Sequence, residues 1–179
     1  MNYRSDTFFI EYLKPEDALN LNKLLVSNTE RFKRYLPKTL SENRTLDSSK
    51  SYIVKRIDLM ASKSEYTFTI KDTLTKNIAG LIILKSIDWN KNKGEFAYCI
   101  GKSYEKNGWM SQAIRAVSKF AFQELKLETL QIISHKTNKA SVKVAERNNF
   151  VWKKTLKHEF IPSGQPPLDM ELYELTYER

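Results

Sequence analysis

From Met110 onward the apolar side chains Ala113, Ile114, Val117, Phe120, Ala121 and Leu125 recur three or four residues apart. Ser111, Gln112, Arg115, Ser118, Lys119 and Gln123 fill the opposite face, so the spacing predicts a long amphipathic helix. Glu95 to Ile100, just before it, is short and aromatic-rich, which predicts a strand. The polar stretch Lys102 to Trp109 joins the two. Within it Asn107 and Gly108 are the residue types that take positive φ most cheaply, and they are expected to do so here. Such a turn aims successive backbone N–H groups at one point by the helix N-terminus, where orphan donors and the helix dipole favour phosphate oxygens. An ordinary strand-to-helix turn is the competing reading.

The same two periods parse the rest of the chain. Phe8 to Leu13 reads as a first strand, followed by a helix that Pro15 opens, with Glu16 and Asp17 in its first turn. Residues 29–45 are highly charged without a period and are expected to wander over the surface. Asp47 or Ser48 is the expected cap of a second helix carrying Tyr52, Ile53, Ile57 and Met60 on one stripe. Tyr66 to Ile70 and Ile78 to Ile87 read as strands, as does Thr129 to Ser134. Asn138 to Asn148 reads as a helix with Ala140, Val144 and Ala145 inward, and Asn149 stands where a left-handed C-terminal residue is expected. Two last strands, Phe150 to Phe160 and Asp169 to Tyr177, flank a Pro- and Gly-containing connection, residues 161–167. Strand, helices, strands, helix, strand, helix and two strands predict one α/β domain over residues 1–179 with a mixed sheet.

Composition narrows the function classes. A chain of 179 residues with 41% hydrophobic and 12% aromatic side chains can bury a core. One cysteine, Cys99, rules out an internal disulfide framework and suits a reducing cytoplasm; two histidines argue against a histidine-rich metal site. No leader and no apolar run of spanning length is apparent, so no membrane role is expected. Thirty Lys plus Arg against 21 Asp plus Glu give +9, which fits nucleic acid, an acidic protein surface or a polyphosphate cofactor. The basic residues are interleaved with acids and form no arginine-rich arm, zinc-finger spacing or RNP-like motif. Nucleic acid is therefore not expected as a direct ligand.

This order and its motifs resemble the GNAT superfamily of acetyl-CoA-dependent N-acetyltransferases, in particular its Rim-type branch of ribosomal-protein N-terminal acetyltransferases. The loop motif Q/R-x-x-G-x-G/A is similar to Glu105-Lys106-Asn107-Gly108-Trp109-Met110. The pattern N-x-x-S, followed by a helix ending in E-K/R-x-G-F, is similar to Asn138-Lys-Ala-Ser141 and Glu146-Arg-Asn-Asn-Phe150. Gly94-Glu95-Phe96-Ala97-Tyr98 loosely matches A-E-I-G-Y, and Phe120-Ala-Phe-Gln-Glu-Leu125 matches Y-A-F-x-E-L. The departures are Glu105 for Gln or Arg, Lys106 for a frequent glycine, Met110 for a small residue and Asn149 for a glycine. Glu105 puts a carboxylate near phosphates, and Lys106 is a candidate to offset it or to reach a phosphate.

The resemblance implies a GNAT fold: a mixed, mostly antiparallel sheet splayed between the strands that flank the central helix, with helices on both faces. It implies acetyl-CoA as co-substrate, no metal, and an amine acceptor, with a protein N-terminus favoured over a small-molecule amine. The loop Glu105 to Met110 would cradle the diphosphate. Backbone N–H groups at Tyr98, Cys99 and Ile100 would hold the pantetheine arm and polarise the thioester carbonyl. Cys99 is either core or a lining of that path, and Asn138 contacts the pantetheine, caps its helix, or both. Glu95 is the candidate general base and Ser141 the candidate donor to the leaving thiolate, against a solvated strand-start charge and a first-turn hydrogen bond respectively. Gln131 stands where the branch often has Glu, so one base is missing. The alternatives are a catalytically weak CoA-binding protein and a ribosome- or RNA-associated module. The acceptor would sit near residues 31–44 and 161–168, and a homodimer is allowed.

Overall fold

The computed structural model describes residue 1, residues 3–162, residue 164 and residues 166–177. Its strands are β1 (Tyr3–Arg4), β2 (Phe8–Tyr12), β3 (Tyr66–Asp72), β4 (Ile78–Asp88), β5 (Lys93–Ile100), β6 (Thr129–Ser134), β7 (Val151–Phe160) and β8 (Leu168–Thr176). Its α-helices are α1 (Ala18–Ser27), α2 (Thr29–Phe32), α3 (Pro37–Ser41), α4 (Leu46–Ala61), α5 (Trp109–Gln123) and α6 (Lys139–Arg147). The eight strands form one mixed sheet in the order β1-β2-β3-β4-β5-β6-β8-β7, mostly antiparallel, with β5 and β6 parallel and helices on both sides. The chain divides into two compact units, residues 1–83 with 98–109, and residues 84–97 with 110–179.

In the first unit, Pro15 opens a single 3-10 turn, Pro15–Asp17, that runs into α1. Leu21, Leu24 and Leu25 face inward and pack with Leu13, Tyr52, Ile53, Leu81 and Cys99. The cap of α4 is Thr45 rather than Asp47 or Ser48: the Thr45 hydroxyl oxygen accepts from the Ser48 N–H at 3.1 Å and the Ser48 hydroxyl oxygen accepts from the Thr45 N–H at 3.0 Å, a reciprocal box. Residues 29–45 do not wander. They fold as α2 and α3, which Asn28 and Pro37 begin, and they bury Phe32 and Thr39. Periodicity cannot show helices of four and five residues, because they complete barely one turn.

Charge is also buried in this unit. The Arg56 guanidinium lies 4.4 Å from the centre of the Tyr52 ring and meets both Glu65 oxygens at 2.8 and 2.9 Å and Glu42 at 3.1 Å. Lys71 pairs with Glu11 and Asp17. Gly80 is required where β4 passes β5, since a Cβ there would come within 2.4 Å of the Cys99 carbonyl oxygen.

In the second unit, Lys93 to Phe96 pair in register with Thr129 to Ile132, and among the described residues that parallel ladder ends there. Burial along β5 alternates through Gly94 and Phe96, then slips by one position to reach Cys99. The end of α6 is a complete left-handed stop: Asn149 has φ of 61°, its N–H bonds to Glu146 O at 3.1 Å and the Phe150 N–H to Ala145 O at 3.0 Å. This turn delivers Phe150, 3% exposed, edge-on to Phe96 at 6.3 Å. Ala145 is buried as expected and Val144 half-buried, but Ala140 is exposed because it lies in the first turn, before the helix has met its neighbours.

Candidate active site

In the first unit β5 ends at Ile100, and Gly101 bonds back to Ala79 O at 2.8 Å. A 3-10 turn, Lys102–Tyr104, follows, then the four residues that lead into α5. The left-handed residues of the loop are Lys106 (φ 65°) and Gly108 (φ 75°); Asn107, expected to be one of them, is not. The lysine stands where the resembling family often has glycine, and its backbone explains that glycine, since a Cβ in the left-handed region costs about 1–2 kcal/mol. Left-handed residues at alternate positions are the backbone pattern of an anion-binding nest. Lys106 and Asn107 are exposed and Gly108 half-buried.

The loop is anchored on an aromatic stack. The Trp109 indole, 7% exposed, lies 5.3 Å from Phe8 and 5.3 Å from Tyr104, near-parallel to both. Tyr104 is thus a stacking residue. A polar latch from the α1–α2 junction holds the other side. Asn28, 8% exposed, accepts from the Lys102 N–H at 2.9 Å and from Arg31 at 3.3 Å, while its amide group donates to Leu24 O at 2.8 Å. Arg31 forms an ion pair with Glu105 and also reaches Ile100 O at 3.5 Å. The carboxylate at the head of the motif is therefore neutralised by Arg31, not by Lys106 as expected. Sequence reasoning missed Asn28 and Arg31 in this role. Nothing at their own positions marks it; only the acid at Glu105, where the resembling family has Gln or Arg, signals that a cation must be found for it. A cavity of about 220 Å³ lies beside the latch, lined by Lys23, Ser27, Asn28, Lys102 and Tyr104 among others.

Cys99 sends its thiol into the core of this unit, 7% exposed. Burial pushes the thiol up to about 12, against a smaller opposite effect of the Leu81 N–H and of Arg31. A thiol so held stays protonated near neutrality and is no nucleophile. Tyr98 and Ile100 on either side are half-buried.

The second unit carries the remaining candidates. Met110 is 6% exposed at the start of α5. Glu95 pairs with Lys85 at 2.7 Å and stands in register with Gln131, whose amide donates to Glu174 at 2.8 Å. Asn138 is the N-cap of α6: its oxygen accepts from the Ser141 N–H at 3.3 Å. Both side chains are half-buried. His135 accepts from the Thr137 N–H at 3.3 Å on Nδ1, which also lies 2.7 Å from the Thr137 hydroxyl, so it braces the loop before α6. Among the described residues no group of three or more His, Cys, Asp or Glu is placed to hold a metal ion, and no helix is long and apolar enough to cross a membrane.

Residues 8–151 match the Acetyltransferase (GNAT) domain family. The chain is 28% identical over 148 residues, 79% of its length and 76% of the relative's, to YdaF of Bacillus subtilis (strain 168), provisionally named a ribosomal N-acetyltransferase. Its fold superposes on the ribosomal-protein-S5-alanine acetyltransferase of Vibrio fischeri with a TM-score of 0.92, at 18% identity, over 98% of this chain and 96% of that one. RimL, a ribosomal L7/L12 alpha-N-protein acetyltransferase in complex with coenzyme A, superposes with a TM-score of 0.90, at 18% identity, over 98% of each chain. Motif order, loop backbone and family match agree: the chain belongs to the GNAT family and is an acetyl-CoA-dependent N-acetyltransferase.

Proposed function

We propose that the protein acetylates the α-amine of a protein N-terminus by direct transfer from acetyl-CoA within a ternary complex, in the cytoplasm. The observation that carries the reading is the loop before α5, with left-handed Lys106 and Gly108, exposed Lys102 and Lys106, and a neutralised Glu105. Those features fit a diphosphate, because successive N–H groups and cations meet it without an opposing charge. Tyr98 to Ile100 would hold the pantetheine arm through their backbone, and Asn138 would add its amide from the cap of α6. Acetyl-CoA supplies an activated thioester, and the chain's task is to bring an amine to it in neutral form. The buried, protonated Cys99 supports direct transfer over an acyl-cysteine intermediate. Glu95 is the proposed proton acceptor and Ser141 the proposed donor to the leaving thiolate.

An N-terminal amine is favoured on three grounds. At pH 7 an α-amine with a pKa of ~7.7–8 costs only about 1 kcal/mol to deprotonate, against roughly 4–5 for a lysine-like amine at ~10.4, which suits a site with Gln131 in place of a second carboxylate. A net charge of +9 also repels polycationic acceptors on approach. The named ribosomal-protein substrates of the structural neighbours point the same way. Residues 31–44 and the connection from Ile161 to Leu168 are the proposed acceptor-facing segments; Ser163 and Gln165 of the latter lie outside the described residues.

The test is thermal unfolding with and without acetyl-CoA, followed by CoA release with free-amine peptides, lysine side chains and spermidine as acceptors. Binding at 100 times Kd adds about 2.7 kcal/mol. A clear upward shift and fastest turnover of α-amine peptides are expected. A shift without turnover would leave the weak CoA-binding protein, and no shift at millimolar acetyl-CoA would overturn the acetyltransferase.

A further inference from the structure

Glu105 poses an electrostatic problem that the loop itself does not solve. It opens the phosphate-loop motif, where a carboxylate repels any diphosphate drawn to the backbone donors that follow. Lys106, next in sequence, is exposed and occupied with a left-handed turn. The cation that meets Glu105 arrives instead from α2, 74 residues earlier in the chain: Arg31, whose guanidinium also lies over the Phe32 ring and reaches Asn28 and the Ile100 carbonyl. Asn28 in turn holds the Lys102 N–H, so two consecutive contacts from the α1–α2 junction fix both the charge and the path of residues 100–105.

We infer that Arg31 is a positioning residue for cofactor binding: it cancels the Glu105 carboxylate and so restores to the loop the electrostatics that a neutral Gln would give at that position. The inference rests on the reading of this loop as the acetyl-CoA diphosphate cradle. Stability is not the reason for the pair. The two side chains are 33% and 37% exposed, and ion pairs so open to water contribute little to folding.

The experiment is a double-mutant cycle on the full chain with acetyl-CoA as the probe, reading Kd by calorimetry and Tm without ligand. Arg31→Ala should weaken acetyl-CoA about tenfold or more while leaving the ligand-free Tm nearly unchanged. Glu105→Gln alone should bind within about threefold of the parent, and Arg31→Ala with Glu105→Gln should return to that range, because no carboxylate remains to be cancelled. A double variant as weak as Arg31→Ala would overturn the inference, as would an Arg31→Ala protein that binds normally. If Arg31→Ala proves unstable, the swapped pair Arg31→Glu with Glu105→Arg takes its place; parental affinity supports charge cancellation and a tenfold loss refutes it. Failure of the unsubstituted protein to bind acetyl-CoA is a separate outcome that removes the underlying reading itself.

Discussion

Lys85 and Glu95 form an ion pair of 2.7 Å between the neighbouring strands β4 and β5, and Glu95 also stands opposite Gln131 on β6. With Gln131 bonded to Glu174 on β8, this makes a polar row of four side chains across four strands of the second unit. Glu95 is the least exposed member of the ion pair, at 18% of its side chain. The row holds Glu95 in a fixed position, as the proposed role of general base requires.

Substitution of Glu95, the proposed base, separates the acceptor classes. Glu95→Gln should lower kcat/KM by ~10²-fold or more for a lysine-like acceptor and much less for an α-amine peptide, whose amine is already partly neutral near pH 7. The acetyl-CoA-induced rise in Tm should be unchanged. Steady-state rates on both acceptors check this; equal rates before and after substitution would assign Glu95 to the ion pair alone.

The two left-handed residues of the loop should respond differently to substitution. Gly108→Ala places a Cβ at φ 75° and should cost about 1–2 kcal/mol, with a loss of acetyl-CoA affinity from the reshaped turn. Lys106→Gly relieves the same kind of strain at φ 65°, at the expense of unfolded-chain entropy, so stability should change by less than ~1 kcal/mol. Urea unfolding with and without acetyl-CoA reads both effects.

Asn149 offers a test remote from the site. Asn149→Gly keeps the left-handed stop of α6 without a side chain and should be neutral or stabilise by up to ~1 kcal/mol. Asn149→Ala should destabilise by about 1 kcal/mol, because alanine is strained at φ 61° and the Phe150 N–H bond to Ala145 depends on that turn. Denaturant midpoints of the two variants should fall on opposite sides of the parent or, for glycine, coincide with it.

The Arg56 cluster should dominate both core electrostatics and acid sensitivity. Arg56→Ala leaves Glu65 buried without its guanidinium and should cost ~3–5 kcal/mol. Burial alone would raise Glu42, but the Lys55 hydrogen bond and the charges of Arg56 and Lys55 outweigh it and hold the carboxyl below its ordinary value. A carboxyl lowered in the folded state stabilises fully above its unfolded pKa of about 4.3, and that contribution disappears as pH falls through the lower folded value. Melting curves from pH 7 to 3 should therefore fall less steeply in Glu42→Gln than in the parent.

Much of this was legible beforehand, and the exceptions have identifiable causes. The strand Thr129–Ser134 has the residues expected of it, and α5 begins one residue early, at Trp109. Asn149 and Gly108 are left-handed as their types and places imply. The cap of α4 was misplaced because Thr45, Asp47 and Ser48 are all good caps, and the choice depends on which φ and ψ the incoming chain allows. Asn107 tolerates positive φ by type, yet the left-handed residues of the loop alternate, at Lys106 and Gly108, and skip it.

The sequence by itself determined the longer elements, their order, the motifs of the loop before α5 and of α6, and the family, since each rests on preferences spanning a few residues. Tertiary structure alone decided which charges meet. Arg31 and Glu105 are 74 residues apart and Lys71 and Asp17 are 54 apart, and no local pattern links either pair. It also decided that Cys99 faces the core and that residues 29–45 become two short helices, because burial depends on what the rest of the chain brings alongside. Backbone preference acts along the chain, whereas the partner of a long charged side chain is set by the path of the chain through space.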